Sequence, residues 1–366
     1  MRGESSEDSP PVSVIMTALE EERHLADAVA SVFDQDYPGP IELVLAVGPS
    51  HDRTREIADE LAATRASMHV VDNPSGRTPA GLNLAVAATD PGRPVIVRTD
   101  GHAHLPPDYV RMAVDTMLRT GAANVGGMML PVGVSGFERA VARAMSARIG
   151  MGSVPFHTGG DEGPAQTVYL GVFRRSILAT TGGFDERFTR AQDWELNHRI
   201  LGTGATVWFD PRLRVGYRPR SNIRGLAAQF YGGGTWRWQL IRVYPRTASI
   251  RYLAAPAATV GLGVAVLVLL VDAAVIHSAA LAAAAALVPV SYAGAVAVGC
   301  ATSRSGLDAE ASAWYPVTVI TMHLSWGVGF LTAAIRDGVR ALRERCGSAP
   351  RSCRSPVASG DVRSQR

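Results

Sequence analysis

The stretch VSVIMTALEEERHLADAVASVFDQ, residues 12 to 35, decides the fold. Its first six residues are a β-branched run, and after them Leu25, Val29, Val32 and Phe33 recur at the spacing of one helix face. A strand followed by a helix is predicted. The pairing returns in IELVLAV then DRTREIADELAATR, in MHVVDN then TPAGLNLAVAAT, and in PVIVRTD then PPDYVRMAVDTMLRTG. Four such alternations predict an α/β, Rossmann-like domain with a mostly parallel sheet, because parallel neighbours need a helical crossover. Ligands of such sheets sit at the C-terminal strand ends, where Thr17, Asp72 and Asp100 fall.

The chain of 366 residues exceeds one domain of ~100–200. Apolar residues make up 47% and charged residues 19%, a balance that fits a soluble domain joined to membrane segments. From 211 to 251 there are nine Arg and no acid. Apolar runs follow at 253–276 and 279–300, each long enough for a bilayer crossing of ~20 helical residues, and a weaker one at 314–335 carries His323. The expected organisation is a disordered N-terminus (1–11), an α/β domain (12–218), a basic interfacial segment (219–252), a membrane region of two to three helices (253–335) and a basic disordered tail (336–366). Three crossings would put the Arg-rich tail outside, against the positive-inside tendency; two crossings, with the third run lying in or partly entering the membrane, put it inside. The first ten residues show no apolar signal-peptide core, so the α/β domain is expected in the cytoplasm at the inner, or plasma, membrane. Cys300, Cys346 and Cys353 have neither metal spacing nor an even count for a disulfide framework.

The chemistry gathers at VRTDGHAHLPPDYV, residues 97–110. Asp100 and His102, two apart at a strand end, suit a divalent cation with open positions that neutralises a diphosphate leaving group. The order of motifs over residues 12 to 218 resembles the family 2 inverting glycosyltransferases of the GT-A fold. VSVIMTALEEERHL is similar to that family's opening strand and nucleotide loop, with Thr17 at the strand end and Glu21 at the acidic position. DNPSGRTPAGLNLAV, which opens on Asp72, resembles its nucleotide segment and implies nucleotide-sugar contacts for Arg77 and Asn83. VRTDGH resembles the D-x-D strand end, with His102 in place of the second Asp. GVFRRSILATTGGFDERF followed by AQDWELNHRI resembles the acceptor segment and E-D motif, which implies Asp193 as general base. HLSWGVGF at 323–330 is similar to succinoglycan-type exopolysaccharide glycosyltransferases.

Two departures stand out. The family usually shows two Asp after its second strand, but Val47 and Gly48 stand there, leaving Asp72 or Asp52 to meet the base. The Q-x-x-R-W helix is reduced to Arg237 and Trp238, with Gly234 in the Gln position, which argues against processive synthesis. Arg237 and Trp238 are expected at the acceptor or membrane interface.

Glu20, Glu21 and Glu22 read as first-turn helix acids, with a functional role only for Glu21. His104, His157 and His198 read as surface or hydrogen-bonded histidines, and GSVPFHTGGDEG, residues 152–163, as a mobile loop that closes over substrate. The resemblance implies a nucleotide-sugar donor, UDP-linked, a Mg or Mn cofactor, and a lipid-linked saccharide or lipid phosphate acceptor in cell-surface polysaccharide or glycolipid assembly. The partners expected are the membrane and polysaccharide-assembly proteins, and not nucleic acid, since the basic segment runs straight into membrane helices. A polyprenyl-phosphate sugar synthase and a catalytically silent membrane scaffold are the alternatives.

Overall fold

The computed structural model describes residues 9–152 and 154–347. The four strand–helix repeats are present as β1 (Val12–Ala18), α1 (Leu25–Phe33), β2 (Ile41–Val47), α2 (Thr54–Ala63), β3 (Met68–Asp72), α3 (Thr78–Ala88), β4 (Val95–Asp100) and α4 (Tyr109–Thr120). Beyond them come β5 (Asn124–Pro131), α5 (Gly136–Met145), α6 (Arg148–Met151), α7 (Pro155–Thr158), β6 (Gly163–Pro164), β7 (Tyr169–Arg174), α8 (Arg175–Thr181), α9 (Gln192–Gly202) and β8 (Val207–Tyr217). One eight-stranded sheet results, in the order β3-β2-β1-β4-β7-β5-β8-β6. Its first four strands are parallel, and β7 enters antiparallel between β4 and β5.

Side chains alternate across the sheet. Val95 and Val97 of β4 join the core under α1, α2 and α4, whereas Ile96 packs on the other face with Leu82 of α3, Leu178 of α8, and Leu196 and Ile200 of α9. Arg98 and Asp100 share the parity of Ile96. The strand therefore carries both polar groups out of its apolar stretch toward α9.

Four α-helices follow in the described chain, α10 (Ile223–Val243), α11 (Ile250–Val271), α12 (Ala279–Ser303) and α13 (Ala309–Gly347), with a 3-10 turn at Pro245–Thr247 and a π-helical turn at Asp272–Ile276. The basic segment expected at 219–252 is mostly the helix α10, capped by the Asn222 side chain. The third apolar run is the core of α13, which continues to Gly347, so residues 336–347 are helical and correct the expectation of a disordered tail. Residues 1–8 and 348–366, which hold the rest of the expected disordered ends, lie outside the described residues. Helical segments Ile250–Ile276, Ala279–Ser303 and Ala309–Glu344 are each long and apolar enough to cross a membrane. They differ in surroundings, since 11% and 6% of the first two apolar windows are buried in protein against 39% of the third.

Contacts explain the difference. Trp314 meets Phe137 of α5 edge-on at 5.4 Å, His323 Nε2 lies 2.6 Å from the Ile149 carbonyl of α6, and Trp238 Nε1 of α10 donates to Asp337 at 2.9 Å. Glycines allow the closest approach of α10 and α13: a Cβ on Gly234 would stand 2.0 Å from the Trp326 carbonyl oxygen, and one on Gly329 2.0 Å from that of Tyr231. A Gln at 234 has no room. The lost Q-x-x-R-W glutamine thus has a packing cause.

Candidate active site

The site is built where β4 runs out beneath the start of α9. Arg98, only 4% exposed, donates from Nη2 to Asp100 Oδ1 at 2.7 Å and places Nη1 3.5 Å from Asp193 Oδ2. A buried guanidinium needs such partners, and the two carboxylates outweigh burial and raise its pKa. Asp193 stands in the first turn of α9, where the helix N-terminus favours negative charge. Ala191, just before that turn, has φ of 58°, a left-handed conformation costly for a residue with a Cβ.

Burial pushes the Asp193 carboxyl above the usual carboxylate range, Arg98 pulls it back, and Asp100 adds to the rise. Its Oδ1 is buried without a hydrogen-bond partner. Glu195, two residues on, is no rival base. Both its oxygens are held by Arg199, at 2.7 and 2.6 Å, and Tyr244 Oη donates to Oε1 at 2.7 Å.

Glu21 approaches from the β1–α1 loop and lies 2.7 Å from His102 Nδ1, a hydrogen bond that raises the imidazole's pKa against the opposing effect of burial. The three glutamates correct the expectation of first-turn acids, since α1 starts only at Leu25. They lie in a loop zipped to residues 50–54 by Glu20 N to Ser50 Oγ, Glu21 N to Thr54 Oγ1 and Glu22 N to Asp52 Oδ2.

No cluster of three or more His, Cys, Asp or Glu able to hold a metal occurs among the described residues. A donor-borne cation needs fewer protein ligands, because diphosphate oxygens and water complete its shell. The pair Asp100 and His102 fits that demand. A carboxylate on the far ring nitrogen, here Glu21, is the usual support of a ligating histidine.

Thr17 joins the cluster through register, paired with Asp100 across β1 and β4, and its carbonyl accepts from Gly101 N at 3.2 Å. Asp72 is not brought there. It ends the edge strand β3 on the opposite face, 74% exposed and paired with Arg55. Asp52 is spent on Thr54 and the Glu22 amide. Asn83 corrects another expectation, since its side chain donates to the Phe184 carbonyl and accepts from the Phe184 amide, both at 2.8 Å. It clamps the loop that leads to α9. Arg77 is exposed at the start of α3, with one long bond of 3.4 Å to the Glu186 carbonyl.

Arg237 lies over the Tyr252 ring at 3.9 Å and the Trp194 ring at 4.9 Å, its Nη1 buried and unpartnered, next in sequence to the candidate base. Trp238 is taken up by Asp337 and Phe330 of α13 rather than by an open interface. His157 is not a surface histidine either: it is 5% exposed, and burial pushes it down to about 4. His198 stacks on Trp194 at 5.4 Å, and His104 is exposed.

Sequence reading overlooked Arg98. Its signal was present in VIVRTD, an otherwise apolar buried strand in which a charged residue must have a partner, with Asp100 two residues on along the same face.

Residues 13–182 match glycosyl transferase family 2. The succinoglycan biosynthesis protein ExoA of Rhizobium meliloti is 29% identical over 317 residues, 87% of this chain and 93% of that protein. A Methanococcus voltae dolichyl N-acetyl-alpha-D-glucosaminyl phosphate 3-beta-D-2,3-diacetamido-2,3-dideoxy-beta-D-glucuronosyltransferase is 21% identical over 240 residues, 63% of this chain and 74% of its own. Among solved structures, the mannosyltransferase PcManGT of Pyrobaculum calidifontis, in complex with GDP-Man and Mn2+, superposes with a TM-score of 0.54 at 19% identity, over 89% of this chain and 87% of that one. That likeness carries the GT-A-type fold. Residues 13–182 are therefore a family 2 glycosyltransferase domain, and the chain that carries it is a glycosyltransferase.

Proposed function

We propose that the protein is a membrane-anchored inverting glycosyltransferase. It moves a sugar from a nucleotide donor, UDP-linked, to a lipid-linked saccharide or lipid phosphate on the cytoplasmic face of the cell membrane, in polysaccharide or glycolipid assembly. The relatives' names support the pathway class, and the helical segments Ile250–Ile276 and Ala279–Ser303 support the anchor. The observation that carries the reading is the Asp193 carboxylate, in the first turn of α9 and held beside the β4 end and Asp100 by Arg98.

Inverting transfer requires the acceptor oxygen to bond to the anomeric carbon as the bond to the diphosphate breaks, with the acceptor's proton leaving to a carboxylate. The Asp193 carboxylate receives that proton. Arg77, exposed and nearly free, gives positive charge to the departing diphosphate. A divalent cation, Mg or Mn, held by Asp100 and His102, supplies further neutralisation there when bound.

One observation favours a second reading. The buried, unpartnered Nη1 of Arg237 suits a phosphate, so a polyprenyl phosphate can itself be the acceptor, in a sugar synthase. The intact cluster of Arg98, Asp100 and Asp193 speaks against a silent scaffold.

The test incubates membranes containing the protein with a panel of radiolabelled sugar nucleotides and extracts the lipids. Label in a lipid-linked saccharide supports the first reading, and label on a lipid monophosphate supports the synthase. No labelled product from any donor, with an Asp193→Asn chain equally inactive, rejects both.

A further inference from the structure

Among the polar groups of the site, Arg98 alone touches both candidate working carboxylates. Its two terminal nitrogens are divided between Asp100 Oδ1 and Asp193 Oδ2. On the Asp193 side, Nη1 stands 3.5 Å from Oδ2, while Oδ1 is buried without a partner. On the Asp100 side, the guanidinium occupies an oxygen that a donor-borne cation would otherwise draw on.

We propose that Arg98 is a positioning residue for glycosyl transfer, fixing the orientation of the Asp193 carboxylate and sharing Asp100 with the donor's cation. The inference rests on Asp193 as the base and on Asp100 as the cation-side carboxylate. It goes beyond both in assigning a role to a buried cation between them.

The physical basis is the planar fork of arginine, which can reach two carboxylates in one fixed geometry, whereas a lysine ammonium is a flexible point charge. Removing the fork has two consequences of opposite sense. Asp193 is released to turn, and a misplacement of about 1 Å at a reacting group costs on the order of 10² in rate. Asp100 is relieved of a competing cation and binds a divalent metal more tightly. A residue that merely held the fold together would lower the amount of folded protein and leave metal affinity per folded molecule unaltered.

The experiment uses the full chain in detergent or lipid nanodiscs, as wild type, Arg98→Lys and Arg98→Gln. Folded fraction is followed by thermal unfolding, Mn2+ binding in the presence of UDP by the electron paramagnetic resonance of free Mn2+, and kcat and donor KM by transfer assay. The expected result is a kcat lower by ~10–10², a donor KM no higher than that of wild type, and Mn2+ bound several-fold more tightly. A kcat within a few-fold of wild type in folded Arg98→Lys overturns the proposal, as does Mn2+ binding that is unchanged or weaker in both variants.

Loss of one buried partner is strongly destabilising, so all readings are taken per folded molecule. If neither single variant folds, Arg98→His, which keeps a planar ring with two nitrogens at the position, is measured in the same way at low temperature. A fall of ~10-fold or more in kcat with Mn2+ bound more tightly supports the positioning of Asp193, and a kcat within a few-fold of wild type overturns it. Failure of the base assignment is seen separately, as full turnover by Asp193→Asn.

Discussion

At the scale of the residue, the site depends on how Asp193 is held between a helix N-terminus that favours its charge and surroundings that oppose it. Asp193→Asn keeps the shape and loses the proton acceptor, so transfer should fall by ~10²–10⁴ while UDP binding, measured by calorimetry, stays close to wild type. The pH profile carries a sign. Burial favours the neutral carboxyl, so on acidification the base is lost sooner than an ordinary aspartate, whose pKa is about 3.9. A kcat profile whose acid limb lies below that value would contradict the buried base. Asp100→Ala should instead remove metal-dependent nucleotide binding, and full activity of wild type after exhaustive chelation would reject a cation at Asp100 and His102.

At the scale of the element, the clearest lesson lies in what the side chains of α3 and α10 do instead of what their motifs implied. Asn83 ties α3 to the loop before α9 by two hydrogen bonds to one residue's backbone. Asn83→Ala should therefore cost about 1–3 kcal/mol of stability, seen as a lower melting temperature, with donor affinity nearly unchanged. A large loss of donor affinity without loss of stability would restore the nucleotide contact that the motif implies. The four βα repeats were legible because their signal is local: a β-branched run, then helical spacing, within about thirty residues. The antiparallel entry of β7 between β4 and β5 was not, since register between distant strands leaves no period in the sequence. Ordered motifs single out Asp100 and Asp193, which the fold brings to one guanidinium, whereas strand parity puts Asp72 on the opposite face. Arg98 escaped because motif reading looks for carboxylates and bypasses the cation between them.

At the scale of the molecule, the packing of α13 bears on the topology proposed. From Asp308, paired with Arg139 of α5, to Asp337, paired with Arg242 of α10, it keeps contact with extramembrane elements over roughly 43 Å of helix. A spanning helix would leave them within its first turns. α10 itself rests on the catalytic domain at both ends, through Leu226 in a cluster with Met129 and Phe137, and through Arg237 on Trp194. Two crossings, α11 and α12, are thus expected, with the chain end on the catalytic side. A membrane-impermeant maleimide should label Cys346 and Cys353 in inside-out vesicles and not in intact cells; the reverse pattern would make α13 a third crossing. The hydropathy of α13 is diluted by glycines and hydroxyl residues, which are the residues that let α10 and α11 approach it: a Cβ on Gly327 would meet Thr259 Oγ1 at 2.1 Å. Composition alone could not separate a weak span from a well-packed one.

The guanidinium of Arg237 rests on Trp194 of α9 and on Tyr252 at the start of α11. One cation is gripped at once by the helix that carries the proposed base and by a helix long and apolar enough to cross a membrane. On the function proposed above, the base would stand at a set height above the lipid headgroups, and the enzyme would act as a gauge. A short acceptor would fall beneath that height and a long one overshoot it, so a lipid-borne glycan would be chosen by its reach before any sugar ring is recognised.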